Sequence, residues 1–269
     1  MATAGSGSDD DSDQLMSIHE AARNRNVSQL RRALTAVSPN FTNETGQSAI
    51  HLLCYDSIGI KPDHEARMAC LGLLRQSPDF DVHLPDQSGF QAIHYVACHA
   101  TSRDDVEFMQ AVVDAGADVN ATGSTIFSRT AIHWVMCDGG PVSVRAAKID
   151  LLIRAGASVT AGDVDGCTPL DLAISKAERS LGRDVLRLRA MRRVYPVLLA
   201  AGAPLPTEAR DTYLLRVMQA GSFANYARRH LDTLTLMLTP RRGPSSPLRL
   251  VPHEVLRKIV AFAFHVGYY

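Results

Sequence analysis

Five times along the chain a four-residue phrase returns: Met16-Ser-Ile-His19, Ser48-Ala-Ile-His51, Gln91-Ala-Ile-His94, Thr130-Ala-Ile-His133 and Thr168-Pro-Leu-Asp171. Its last residues fall 32, 43, 39 and 38 positions apart. A second phrase follows three of them, as Ala115-Gly-Ala-Asp-Val-Asn120, Ala155-Gly-Ala-Ser-Val159 and Ala201-Gly-Ala-Pro-Leu205. Self-similarity at this period marks a stacked repeat architecture, in which a unit buries its apolar face only against its neighbours. Such folds are built for binding more often than for chemistry.

Each unit reads as a pair of short helices. Ile18, Ala21 and Ala22 form one apolar stripe, Asn24 to Val27 breaks it, and Leu30 and Leu34 resume it. The later second helices read as Arg67–Leu74, Val106–Val113, Ala147–Ile153 and Met191–Leu199, each ended by a turn-prone or Gly-Ala stretch. A Ser or Thr ahead of the phrase caps the first helix, and the His side chain can hydrogen-bond backbone at the turn. Pro196 is expected to bend or shorten its helix.

Asp165-Gly-Cys-Thr-Pro-Leu-Asp-Leu-Ala173 and Asp114-Ala-Gly-Ala-Asp-Val-Asn120 resemble the ankyrin repeat. That pattern is a turn ending in Gly, then Thr-Pro-Leu-His, Ala-Ala, a second helix and Gly-Ala-Asp-Val-Asn. The resemblance runs from about residue 14 to 205 and implies an all-α, ankyrin-type solenoid of helix–turn–helix repeats with hairpin fingers. Units two to five depart from it by extra residues around Tyr55–Glu65, Ala100–Asp105, Cys137–Ala146 and Ser175–Arg189. The last of these is expected to lengthen a helix.

The expected organisation is a disordered acidic tail at 1–13, about five repeats over 14–206, a divergent helical cap at 207–239 and a linker at 240–247. An apolar C-terminal helix over 248–269 completes a helical capping module. Twenty-eight basic against 28 acidic residues leave no net charge, which argues against nucleic acid or an anionic membrane as partner. No apolar run approaches the ~20 residues needed to span a bilayer. The N-terminus lacks a signal-peptide pattern, and five scattered cysteines suggest free thiols, so a cytoplasmic or nuclear monomer is expected.

No hydrolase elbow, phosphate-cradling glycine loop or zinc-protease helix is present, so the chain reads as a non-enzyme without cofactor. The phrase histidines sit one per repeat, too far apart to share a zinc ion. The i, i+4 pairs His94/Cys98 and His133/Cys137 recur because the repeat recurs, with Cys as a small apolar residue; the alternative is a metal or catalytic pair, which comes last among the readings. The basic run Arg179, Arg183, Arg187, Arg189, Arg192, Arg193 is either a solvated face or a patch for an acidic segment, including the chain's own tail.

The resemblance implies a protein partner on the fingertips and on the helix positions just past the phrase. The residues so placed are Tyr55, Gln87, Phe90, His99, Phe127, Arg129, Asp138 and Lys176. Glu44, Thr45, Gln47, Ser88, Ile126, Val164 and Asp165 are further fingertip positions. Phe90 and Phe127 are either exposed anchors or fold back on a neighbouring finger, and Trp134 is either core or contact. The segment Leu250-Val-Pro-His-Glu-Val-Leu-Arg-Lys-Ile-Val-Ala-Phe262 resembles the start of an F-box. That implies recruitment of ubiquitin-ligase subunits through Pro252, Glu254, Val255, Leu256 and Ile259. The alternative is a lid docked on the last repeat.

Overall fold

The computed structural model describes residues 17–55, 63–98, 102–123, 126–137, 141–180, 191–238, 252 and 254–255. The expected tail and linker lie outside them, as do His99, Asp138, Leu256, Ile259 and the arginines at 183, 187 and 189. Among the described residues the chain is mostly helical. In order come α1 (Ile18–Arg23), α2 (Val27–Ala33), α3 (Ala49–Cys54), α4 (His64–Gln76), α5 (Ala92–Cys98) and α6 (Arg103–Asp114). A small hairpin follows, β1 (Thr122–Gly123) antiparallel to β2 (Arg129–Thr130), with Thr122 opposite Thr130. Then come α7 (Ala131–Cys137), α8 (Val142–Arg154), α9 (Pro169–Arg179), α10 (Tyr195–Ala200), α11 (Thr212–Gln219) and α12 (Phe223–Leu238). No helix among the described residues is long and apolar enough to cross a membrane.

The chain divides into two compact units, residues 1–131 and 132–269. In the first, α1, α3 and α5 pack on one another in sequence, and α2, α4 and α6 do the same. Each odd helix also packs on the even helix that follows it. The composition of the two rows explains their spacing. Ala21, Ala22, Ala49, Ala92 and Ala97 are fully buried on the short helices, so those backbones can approach closely. Leu30, Leu71, Leu74, Phe108, Met109 and Val112 fill the other row.

The second helices begin earlier than their apolar stripes suggest. α4 and α6 each start three residues sooner than read, because a polar first turn precedes the stripe, and α8 starts five sooner, directly after Pro141. Asp63 accepts from the Ala66 amide at 2.9 Å, and Ser102 from the Asp105 amide at 3.3 Å. These caps satisfy amides that an apolar pattern cannot reveal. The extra residues between helices are thus partly absorbed into helix.

One polar cluster lies deep in the first unit. Arg67, 3% exposed, projects from α4 and donates to the Leu53 and Cys54 carbonyls at the end of α3, both at 3.0 Å. Its third bond is to Asp105 Oδ1 on α6 at 2.7 Å, and its guanidinium lies 3.9 Å from the centre of the Phe108 ring. Asp105 Oδ2 in turn accepts from the Ser102 amide and hydroxyl, each at 2.9 Å. The pair therefore ties three helices together. The sequence shows Arg67 only as the polar start of an apolar run.

In the second unit α10 packs on α8, α9 and α12, and α11 packs on α12. Helix α9 runs eleven residues, against six or seven for α1, α3, α5 and α7, as expected for a lengthened helix. Pro196 stands at the second position of α10, after a break at Arg193-Val194, so the helix is shortened. Within the expected cap at 207–239 the first helix starts only at Thr212, because Asp211 is its cap. An aromatic series, Tyr195–Tyr213–Tyr226–His230, with centroids 6.5, 5.4 and 5.7 Å apart, joins α10, α11 and α12.

Candidate functional site: fingers and an aromatic face

Three fingers are built alike. Asn43, Asp86 and Asp163 open them, and Oδ1 of each accepts amides two and four residues on. The bonds are to Thr45 and Gln47 at 3.0 and 2.9 Å, Ser88 and Phe90 at 2.8 and 2.9 Å, and Asp165 and Cys167, both at 3.1 Å. A glycine three residues after the opener returns its N–H to the opener's carbonyl at 2.8–3.0 Å. Gly46 is constrained twice over. Its φ is +77°, and a Cβ there would sit 2.7 Å from the Gln87 backbone nitrogen of the next finger.

The phrase histidines hold these fingers. His51 Nδ1 accepts from the Ser48 amide at 3.1 Å, closing the start of α3, while Nε2 donates to the Phe90 carbonyl at 3.1 Å. His94 repeats this with the Gln91 amide and the Ala121 carbonyl, at 3.0 and 2.8 Å. His19 Nε2 reaches the Phe41 carbonyl at 3.0 Å, and His133 Nε2 that of Cys167 at 3.1 Å. Burial holds the His51 and His94 pKa values below the usual imidazole range, with the bonded carbonyls opposing that shift. With one nitrogen accepting and the other donating, His51 and His94 keep no lone pair for a metal. Asp171 takes over the cap in α9, where its carboxylate accepts the Thr168 amide and hydroxyl at 2.9 and 2.7 Å. It has no second ring nitrogen with which to reach onward.

The fingers and helices of the first unit bring several of the expected residues together around one that was not expected. Tyr95, directly after His94, lies at the centre. Its ring meets Tyr55 at 6.4 Å, Phe90 at 5.9 Å and His51 at 5.4 Å, each edge to face. Its hydroxyl donates to Asp86 Oδ2 at 2.5 Å and accepts from Gln47 Nε2 at 2.8 Å. Burial first, then the bond to Asp86, pushes the phenol well above its usual pKa, so it stays a donor. The only hint in the sequence is its place one residue past the His, which Trp134 also occupies.

Tyr55 is 38% exposed at the rim of this face. Phe90 folds back: it is half-buried, and its ring also meets His94 at 6.0 Å. Gln87 is exposed and ties two fingers together, its side chain donating to the Glu44 carbonyl at 2.6 Å and its amide to that of Thr45 at 3.2 Å. On the next finger Phe127 is 40% exposed with the Arg129 guanidinium 4.8 Å from its ring centre, and Ile126 is 70% exposed. Lys176 and Trp134 are half-buried. Pro252, Glu254 and Val255 are exposed. The arginine run is not uniform, since Arg192 pairs with Asp211 at 2.5 Å while Arg179 bonds the Ser175 hydroxyl.

No protein-family model matches this chain, and a search of curated proteins finds no match either. The site's meaning therefore rests on its own geometry. Tyr55, Tyr95 and Phe90 offer edges and partial faces on a platform fixed by Asp86, Gln47 and His51. Such a surface can seat an apolar or amphipathic side chain with little loss of its own freedom.

Proposed function

We propose that the chain is an ankyrin-type solenoid of about five repeats and acts as a non-enzymatic protein-interaction module. Its fingers and the aromatic face of the first unit would hold a partner protein. The recurrent phrases, the paired helices of residues 18–114 and the common finger design support the repeat reading. The observation that carries the function is the half-exposed Tyr55–Tyr95–Phe90 cluster. Aromatic groups whose polar ends are already satisfied and whose positions are fixed are the usual anchors of interfaces. Affinity capture with wild type beside Tyr55→Ala and Phe127→Ala tests the reading. Partners lost from either variant, with its melting temperature unchanged, support it; identical capture by all three removes it.

A second reading is favoured by Val255, which is 43% exposed. The segment beginning at Leu250 resembles an F-box start, and an exposed apolar residue there suits recruitment better than a docked lid. Under this reading the chain is a substrate adaptor of a cullin–RING ubiquitin ligase. Capture with the full chain beside a version ending at Thr239 decides between them. Ligase subunits bound only to the full chain favour the adaptor, and equal capture favours the lid.

A further inference from the structure

The second unit carries a groove that the aromatic face does not use. Asp171, Ile174, Ser175 and Glu178 recur at helical spacing along α9 and form one wall; the segment Pro206–Arg210 forms the other. The groove is open and measures about 430 Å³. A recess of about 40 Å³ shares Ile174, Glu178 and Arg210 with it and extends to Ala177 and Tyr195.

Three observations indicate what fits there. Among the described lining residues Asp171, Glu178 and Glu208 face one cation, Arg210, because Arg192 beside the recess is already paired with Asp211. The groove is therefore complementary to positive charge. Tyr195, only 1% exposed, lines the recess, and its hydroxyl makes no hydrogen bond among the described residues. Glu178 lies in the last turn of α9, where a carboxylate opposes the helix dipole and is mildly unfavourable for the helix itself. A residue that breaks a local rule without a structural gain points to a role outside folding.

We propose that this groove takes a basic peptide segment of a partner protein, with an aliphatic side chain on Ile174 and arginine or lysine side chains against Glu178 and Glu208. The proposal rests on the reading of the chain as a binding module but uses a different surface from the Tyr55 face. Aliphatic stems lie along Ile174 and Ala209, and the cationic heads remain near solvent at the carboxylates. Asp171 contributes field rather than a contact, since its carboxylate is occupied by Thr168.

The test uses the full chain and a fluorescein-labelled nonapeptide in which arginines flank a central leucine, followed by anisotropy at low and high salt. Binding is expected with Kd on the order of 10 µM, weakening as salt rises. Glu178→Gln/Glu208→Gln is expected to weaken it about tenfold without lowering the melting temperature, as loss of two partly screened pairs should. The same peptide with glutamates for arginines should not bind. No binding of the basic peptide, or equal binding by the double variant, overturns the proposal. If Arg241→Glu/Arg242→Glu in the full chain tightens binding tenfold, the chain's own basic segment is the occupant and the partner assignment falls. Tyr55→Ala should leave the peptide affinity unchanged. A failed peptide test beside partner capture that still depends on Tyr55 would remove the groove alone.

Discussion

Removing Asp105 should be among the most damaging single changes to the first unit. Asp105→Ala leaves the Arg67 guanidinium charged, 3% exposed and without its counter-ion, while the Ser102 amide loses its acceptor. Breaking a buried pair from one side costs about 3–5 kcal/mol. A domain's whole stability is about 5–15 kcal/mol, so roughly half of it is at stake. Arg67→Met should cost as much or more, because it strands a carboxylate and also the Leu53 and Cys54 carbonyls. The double variant Arg67→Met/Asp105→Leu removes both charges but not the orphaned carbonyls. It should lose about 2 kcal/mol or more less than the sum of the singles, the sign of direct coupling. Urea unfolding followed by circular dichroism measures the total, and hydrogen exchange of α3, α4 and α6 localises it. Added salt at 1 M should change little, since a buried pair is hardly screened. Single variants that lose under about 1 kcal/mol, or a cycle that adds, would refute the reasoning.

Further outcomes are expected. Acid should weaken the fold through His51 and His94, whose pKa values are lowered on folding by burial. Their contribution is complete above about pH 6.5. Below it the unfolded chain binds protons that the folded chain refuses, up to about 2.7 kcal/mol per pH unit for the two, until the folded pKa values are passed. Urea midpoints at pH 7.5, 6.5 and 5.5 should fall accordingly, and more shallowly in His51→Gln/His94→Gln. Gly123→Ala should destabilise the unit by about 1–3 kcal/mol, because the new methyl would meet the His94 ring at 2.7–2.8 Å; an unchanged melting temperature would show that the ring yields freely. Phe90→Ala should lower the melting temperature while Phe127→Ala does not, since only the first is packed into the aromatic cluster. Thiol reagents should reach Cys98, Cys137 and Cys167 well before Cys54 and Cys70, whose buried thiols are pushed up to about 12 and 11.

The helices of residues 18–114 were legible because their signals are local. Caps, apolar spacing and Gly-Ala stops act within a few residues, and Gly116, Gly156 and Gly202 do stand at φ of 91–98° where second helices end. The histidines were legible as turn residues, though not the distant carbonyls they reach. Tyr95 was not legible. Its importance comes from Asp86, Gln47 and Tyr55, which lie 9, 48 and 40 positions away, and no pattern within one helix encodes that meeting. Arg67 was hidden for the same reason: its partner lies 38 residues on. The groove beside α9 depends on Pro206–Arg210, of which residues 207–210 fall in the expected helical cap, and the cap at Asp211 keeps them out of the helix.

The histidine links also have a direction. His51 and His94 each close the start of their own helix with one nitrogen and fix a carbonyl further along the chain with the other. Each of these carbonyls is thus keyed to the helix upstream of it. The segment bearing Asp171 has the first half of that key and lacks the second. In place of the segment bearing His51 it would cap its own helix but could not reach the following carbonyl. The segments that share the phrase are therefore not interchangeable, and Asp171→His is the change that would give the last of them a donor for a following carbonyl.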